Sequence, residues 1–340
     1  MLPKTKYAFT ADFHIENNRN LPFVLDTFNW IVKVLEERHI DHLFILGDFV
    51  NSRFKIDILA LNKAIEVLNL FQGSPQSTLV FLLLGNHERY YKATNFSVTS
   101  IQPFEKHCIV LNKVRVLNGE NFNFYCIPNV ETAEEFNKIL KEMPTSHPKQ
   151  YNILLGHADI KGARTNDLYN ITSKEGINPE SLSSFDRVFL GHFHARQQIN
   201  NITIVGSPVQ LSHGEEFSEK GLTIWNAADN SIEFITNPHY EVYKTILEID
   251  EDVKNKFVRY YTNQFLDAPE AKKIKEILLS KGALDVKIEI KNKEFKEITQ
   301  SELENFDMKD IINKYIELNS RDLDKEKLYK TCVEIMNEKM

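Results

Sequence analysis

One pattern recurs five times in this chain and limits the folds open to it. A short apolar run ends, usually at a glycine, and a side chain able to bind a metal follows at once. Lys6 to Thr10 is followed by Ala11, Asp12, Phe13 and His14, and His42 to Leu46 by Gly47 and Asp48. Leu79 to Leu84 leads into Gly85, Asn86, His87 and Glu88, and Asn152 to Leu155 into Gly156 and His157. The last run, Arg187 to Leu190, leads into Gly191, His192, Phe193 and His194. Continuous apolar runs of this length suit strands buried on both faces. Between them, Leu25, Phe28, Ile31, Val32 and Leu35 predict an amphipathic helix over 24–38, and Leu61, Ala64, Ile65 and Leu68 another over 56–70. Strand and helix in alternation predict an α/β fold with a largely parallel sheet, whose sites lie beyond the carboxyl ends of the strands. All five clusters occupy such ends. If the backbone stays extended there, His192 and His194 point to one side and Phe193 to the other.

From about residue 201 the pattern changes. Asn201 to Val205, Leu222 to Trp225 and Ile232 to Ile235 are closely spaced strand candidates, expected to form a second, antiparallel portion packed on the first. Asn237 and Pro238 mark a boundary. Beyond it, residues 241–295 read as a small α+β unit, with strands near 243–249 and 286–290 around a helix near 268–280. The end of the chain reads as two helices, one striped by Met308, Ile311, Ile312, Tyr315 and Ile316, the other by Leu328, Cys332 and Met336. The expected domains are therefore 1–238, 239–295 and a terminal helical pair over 296–340.

Three dispersed cysteines, Cys108, Cys126 and Cys332, without CxxC spacing, argue against a disulfide framework or a thiolate zinc site. The longest apolar run is too short to span a bilayer and the N-terminus lacks a signal-peptide core, so a cytoplasmic protein is expected. A net charge of −7 is wrong for coating nucleic acid by bulk electrostatics. Any polyanion would have to be held by locally clustered cations.

The strand-end clusters pool seven nitrogen and oxygen donors without sulfur: Asp12, His14, Asp48, Asn86, His157, His192 and His194. These are too many for one tetrahedral site. They suit two divalent ions, Mn²⁺, Fe or Zn²⁺, sharing a bridging carboxylate. Ions roughly 3.5–4 Å apart form the clamp used in phosphoester displacement, and their surplus charge attracts phosphate and acidifies water.

In this order the motifs resemble those of the calcineurin-like metallophosphoesterase superfamily: DxH, GD, GNH[DE], GH and GHxH. The resemblance implies two packed sheets flanked by helices, with a small α+β capping domain and C-terminal helices. It implies Asp12, His14, Asp48 and His194 on one metal, Asp48, Asn86, His157 and His192 on the other, and His87 as the catalytic histidine outside the ligand set. Within the superfamily the chain looks most like the SbcD-type DNA repair nucleases. Val205 to Ser212 followed by Gly214, Glu215 and Glu216 is similar to that family's GSP segment, and Ser52 and Arg53 follow the GD motif as they do there. That resemblance implies a two-metal, most naturally Mn²⁺-dependent, DNA exonuclease or endonuclease in recombination, repair or replication. It also implies an SbcC-type ATPase partner, docked through the terminal helices, and a homodimer.

One position departs from many relatives: Asn51 stands where a histidine contacts the phosphate, and an amide cannot carry a proton. Arg53 is the expected compensation. Arg53 and Lys55, Arg89 and Lys92, Lys161 and Arg164, and Arg196 all follow ligand motifs closely and are read as a positive rim for a DNA backbone. Asn51, Arg53, Arg89 and Arg196 are the expected substrate contacts. His39, His42, His107, His147, His213 and His239 are not read as ligands. Two other functions fit the same sequence: a phosphatase of the superfamily acting on phosphoprotein or small esters, or a non-catalytic scaffold for an ATPase.

Overall fold

A computed structural model of the chain describes residues 6–16, 20–51, 53–73, 77–90, 99–119, 122–143, 151–166, 171–264, 266–290, 316 and 324–338. The first half runs β1 (Lys6–Thr10), α1 (Leu21–Arg38), β2 (His42–Ile45), α2 (Ile58–Gly73), β3 (Leu79–Leu83), β4 (Ile109–Leu111), β5 (Arg115–Asn118), β6 (Phe122–Ile127) and α3 (Ala133–Glu142). It continues with β7 (Tyr151–His157), a short hairpin β8 (Arg164–Asn166) and β9 (Ile171–Thr172), then β10 (Arg187–Gly191), β11 (Gln197–Ile199) and β12 (Ile202–Ile204). The remainder is β13 (Gly221–Asn226), β14 (Ser231–Thr236), β15 (Tyr243–Ile246), β16 (Phe257–Thr262), α4 (Ala268–Ser280), β17 (Asp285–Ile290) and α5 (Lys325–Glu338).

Two six-stranded sheets carry the α/β core, in the orders β14-β13-β1-β2-β3-β4 and β11-β12-β10-β7-β6-β5. The alternation of side chains along each strand builds the layers. Phe9, Phe44, Leu83, Phe124, Leu155 and Phe189 form the core between the sheets, with Phe9 and Phe189 stacked at 4.1 Å. The opposite faces meet helices. Leu43, Ile45 and Leu82 pack with Phe28, Ile31 and Leu68 of α1 and α2. Leu154 and Leu190 pack with Phe136 of α3. The result is helix, sheet, sheet, helix, which accounts for strands that read as apolar on both faces.

All five predicted runs are strands, but they are divided between the sheets: β1, β2 and β3 in one, β7 and β10 in the other. The single antiparallel portion expected after residue 201 is not formed. β12 instead pairs in parallel with β10 in the second sheet. β13 crosses to the first, pairs antiparallel with β1 and carries β14 as the new edge. The open side of β1 presents unpaired backbone groups that a returning hairpin satisfies, and local patterning cannot say which sheet offers that vacancy.

The chain divides into two compact units, residues 1–261 with 266–289, and residues 262–265 with 290–340. Within the first, Ile246, Val253, Val258, Leu278 and Val286 form a small separate core. The sequence pattern foresees α4, β15 and β17 but not β16, the middle strand of that sheet. In the second unit, α5 has Leu328 and Cys332 half-buried. The first terminal helix expected, with Met308, Ile311, Ile312 and Tyr315, lies outside the described residues. Among the described residues no helix is long and apolar enough to cross a membrane.

Candidate metal centre

The carboxyl ends of β1, β2, β3, β7 and β10 meet at one place because the loops beyond them bond to each other. Asp12 N–H donates to Gly47 O (3.0 Å), His14 N–H to Asp48 O (2.9 Å) and Ile15 N–H to Phe49 O (2.9 Å), so the β1 and β2 loops stay zipped past their strands. Glu88 then gathers the next loop. Its buried carboxylate accepts N–H bonds from Gly85 (2.6 Å), Asp48 (3.2 Å), Phe49 (2.5 Å) and Val50 (3.1 Å). Burial lifts Glu88 to about 8, helped by the Asp48 charge, while the backbone donors pull the other way. Gly47 is required here: it has φ +93°, and an added Cβ would lie 2.3 Å from His157 Nδ1.

The seven predicted donors converge. His14 Nε2 lies 3.1 Å from His194 Nε2 and 3.6 Å from Asp48 Oδ2. On the other side of the same carboxylate oxygen, His157 Nε2 lies 3.5 Å away, and 2.8 Å from Asn86 Oδ1. His192 Nδ1 is 3.1 Å from that amide oxygen, and the His192 N–H rests on both Asp12 oxygens (3.2 and 3.1 Å). Asp12, His14 and His194 offer one set of atoms that could hold an ion, and Asp12, Asp48 and His157 another.

Proton accounting decides what this arrangement suits. His14 Nδ1–H donates to Asn51 Oδ1 (3.0 Å), whose amide is oriented by its own donation to Glu16 Oε2 (2.7 Å). His194 Nδ1–H donates to Glu215 Oε1 (2.9 Å). With those protons placed, the two Nε2 atoms face each other and need a positive charge between them. Burial works against a charged His194, yet Glu215 raises its pKa, so that charge is favoured here, as a proton or as a metal ion. The second set repeats the logic. His157 Nδ1–H donates to Leu46 O (2.8 Å), leaving Nε2 aimed at the Asn86 oxygen. Burial lowers His14 to about 4 and His192 to about 3, so both rings stay neutral and offer lone pairs. Burial also works against a charged His157, yet Asp48 raises it to about 9: positive charge is favoured at this point, as a proton or as a metal ion. Nitrogen and oxygen donors on two sides of one carboxylate fit a pair of divalent cations.

The remaining predicted residues divide. His87 N–H donates to Asp48 Oδ1 (2.9 Å), and its ring stands edge-on to His14 at 4.6 Å, lining the same cleft of about 520 Å³. His14, Asp48 and His87 also offer a third set of atoms close enough to hold an ion, so the geometry alone does not set His87 apart from the donors. Asn51 borders that cleft too, but its amide is engaged with His14 and Glu16, so it orients a histidine instead of standing free for phosphate. Arg53 and Arg89 line a neighbouring cleft with Asn86 and His192, where Asn129 accepts from Arg89 (3.2 Å) and donates to His157 O (3.1 Å). That cleft also carries Glu131, Glu134, Asp159 and Glu175, so its rim is not uniformly positive. Arg196 lies elsewhere, its guanidinium 4.5 Å from the Phe234 ring centroid in a separate cleft with Arg164. Lys55 and Lys161 are exposed, and Lys92 falls outside the described residues. Of the histidines not read as ligands, His42 bonds Asp41, His107 bonds Asn69 and His39 closes α1, while His147 lies outside the described residues.

The backbone differs from the extended path that the GHxH spacing suggests. β10 stops at Gly191 and His192 has φ 105°, so a turn, not strand alternation, aims the two rings. Phe193 is buried beneath them as expected. Sequence patterning missed the support behind His194. Glu215 holds its Nδ1 and pairs with Lys220 Nζ at 2.8 Å, and that fully buried lysine also donates to His194 O (2.7 Å) and Ser207 Oγ (3.0 Å). Burial would raise Glu215, but Lys220 and His194 bring it down to about 2. The Gly214–Glu216 segment was a signal for Glu215; nothing in local patterning marks a buried lysine.

Residues 5–196 match the family model described as "Calcineurin-like phosphoesterase". The chain is 26% identical over 255 residues to the SbcD component of the SbcCD nuclease of Staphylococcus epidermidis, covering 67% of each. It is 23% identical over 193 residues to "Exonuclease subunit 1" of Enterobacteria phage T4, covering 56% of this chain and 54% of that protein. Among solved structures, a dimetal phosphatase from Danio rerio is 11% identical with a TM-score of 0.45, covering 70% of this chain and 98% of its own. The chain thus spans between about half and two thirds of the length of these two curated relatives.

Proposed function

Because the chain belongs to the calcineurin-like phosphoesterase family, we propose that it hydrolyses DNA phosphodiester bonds as a two-metal nuclease, Mn²⁺ being the ion expected. The observation that carries the metal part is the opposed pair of Nε2 atoms, His14 and His194, 3.1 Å apart beside an Asp48 oxygen that also faces His157. Asp12, His14, Asp48 and His194 would hold one ion, and Asp48, Asn86, His157 and His192 the other. Ions so held supply Lewis-acid charge for a phosphoester and lower the pKa of water. DNA as the substrate is supported by the two relatives named as nuclease and exonuclease subunits, the first of which aligns over 255 residues, more than the family match of residues 5–196.

The chain's own groups have definable tasks in that reaction. His87, whose backbone N–H bonds Asp48 and which lines the cleft, would protonate or stabilise the departing oxygen. Arg53 and Arg89 hold backbone phosphate in the adjoining cleft, Arg89 kept in position by Asn129. Asn51 and Glu215 fix the tautomers of His14 and His194, so that Nε2 of each is the ligating atom. On this reading residues 239–295 form a capping domain, and the terminal helices of 296–340, including α5, dock an SbcC-type ATPase in recombination or repair. Two copies would work as a dimer in the cytoplasm.

The test compares cleavage of single- and double-stranded DNA with hydrolysis of an aryl phosphate in Mn²⁺, for wild type, His87→Ala and Asp48→Ala. Metal-dependent DNA cleavage lost in both variants is the expected result. Turnover of the aryl ester alone would replace this reading with a phosphatase, and no turnover, with or without an SbcC-type ATPase and ATP, would leave a scaffold.

A further inference from the structure

The metal cleft shares its wall with a second, smaller one. Thr165, Ala195 and Glu215 line the cleft of His14 and His194. Their chain neighbours Arg164, Arg196 and residues 217–219 line an adjacent cleft of about 330 Å³, closed by Phe234. Three separate segments therefore contribute to both walls, so the second cleft lies beside the metal cleft, as the Arg53 and Arg89 cleft does through His192. Arg196 follows His194 by two residues, a Cα separation of roughly 7 Å at most. That is the reach of one or two nucleotides stacked at about 3.4 Å each.

The chemistry of this cleft is unlike that of an ordinary solvated loop. Phe217 is 72% exposed, a large apolar ring presented to water beside two guanidinium groups. Arg196 is held over the Phe234 ring at 4.5 Å, and its Nε and the Ser218 hydroxyl are buried without a hydrogen-bond partner. The backbone of Arg164 is tied down by reciprocal bonds with the Gln197 amide (2.7 and 3.0 Å). Glu219 opposes Arg196 electrostatically and is itself held by Thr236 Oγ1 (2.8 Å). The lining carries two arginines and one glutamate. An exposed aromatic face flanked by cations is what an unpaired nucleotide needs: a surface for the base and charge for its phosphate.

We propose that this cleft binds the nucleotide flanking the cleaved phosphate in a single strand, with its base stacked on Phe217 and its phosphate held by Arg164 and Arg196. The inference rests on the nuclease reading above and adds to it a preference for an unpaired base at one defined position. A base still paired in a duplex cannot present its face to Phe217.

The experiment uses Mn²⁺-loaded full-length protein and a phosphorothioate-protected single-stranded oligonucleotide from which one base at a time is removed. Binding is read by fluorescence anisotropy. In the wild type, one position should show a penalty of roughly 5- to 150-fold when its base is missing. That penalty should vanish in Phe217→Ala and persist in Phe217→Tyr; at 72% exposure neither change disturbs a core. Arg164→Ala should reduce the slope of log affinity against log salt by about 0.7. A wild type that binds and cuts DNA with a flat abasic profile overturns the proposal, as does an unaltered profile in Phe217→Ala. Loss of a protein partner in Phe217→Ala with an unaltered DNA profile also overturns it and assigns the ring to protein docking. A wild type that neither binds nor cuts any oligonucleotide removes the nuclease reading as well, so the two failures are distinguishable.

Discussion

Replacing Glu215 with glutamine removes one charge from the buried pair behind His194. Glu215 Oε2 and Lys220 Nζ are 2.8 Å apart, and the lysine side chain is fully buried. At 2.8 Å and an effective dielectric of about 20, the attraction is roughly 6 kcal/mol before the desolvation of both ions is subtracted. Glutamine keeps the shape but leaves the ammonium with only the His194 carbonyl and the Ser207 hydroxyl. Breaking one side of such a pair costs about 3–5 kcal/mol. Lys220→Met leaves the carboxylate stranded and should cost a similar amount. The double variant Glu215→Gln/Lys220→Met buries neither charge and should recover much of the loss. Urea unfolding followed by the fluorescence of buried Trp225 should therefore give a coupling energy of about 3 kcal/mol. In the same variants, calorimetric titration with Mn²⁺ should show affinity about 10–100-fold lower for Glu215→Gln, because His194 Nδ1–H loses its carboxylate. Single-variant costs that simply add would refute the idea that the pair acts as a unit, and unchanged Mn²⁺ affinity would refute its role in setting His194.

Three further perturbations probe the loops around the same centre. Glu88→Gln places an NH₂ group among four backbone donors and should cost about 3 kcal/mol in urea unfolding, with weaker Mn²⁺ binding because Asp48 and Asn86 lie on the loops it joins. Gly85→Ala would put a Cβ 2.2 Å from Asp48 Oδ1, so Mn²⁺ titration should show at least a roughly tenfold loss of affinity; wild-type binding would mean the loop can move aside. Asn51→Ala frees the His14 ring and should weaken Mn²⁺ binding about 10–100-fold, whereas a residue serving only as a phosphate contact would change DNA affinity and leave metal titration as it was.

The site was more legible than the fold around it, for a physical reason. A strand buried on both faces is a continuous apolar run, and β1, β2, β3, β7 and β10 all announce themselves in that way. The ligands follow within a few residues, so the candidate centre is written locally. β4, β5, β6 and α3 gave no comparable signal. Arg115 to Asn118 is a half-exposed edge strand with a charged end, and β6 carries a buried Asn123 that interrupts its apolar pattern. The destination of β13 depends on the vacant edge of β1, more than 200 residues away in sequence. Lys220 is the extreme case. A lysine is read as solvated by default, and its burial becomes intelligible only when Glu215, Ser207 and the His194 carbonyl are seen around it.

The backbone at the ligands explains why these residue types are suited to these positions. Asp12, His14, Asp48 and His192 all have positive φ, of 56°, 48°, 51° and 105°. Each such residue costs on the order of 1–3 kcal/mol, so together they consume energy comparable with the net stability of an ordinary domain. The cost is tolerable for two reasons. Aspartate and histidine are among the non-glycine residues that enter the left-handed region most readily, so the ligand requirement and the backbone requirement select the same side chains. The strained loops are also bonded to one another: Asp12 to Gly47, His14 to Asp48 and Ile15 to Phe49, with Glu88 binding the far side. In an extended DxH or GHxH segment, two side chains would share a face by simple alternation and point outward in parallel. The left-handed turns instead swing them inward, toward ligands from the opposite sheet. Convergence of five strand ends on one carboxylate therefore depends on strain that the two sheets and their linked loops jointly maintain, and relaxing any one loop should disperse the donors before it unfolds the core.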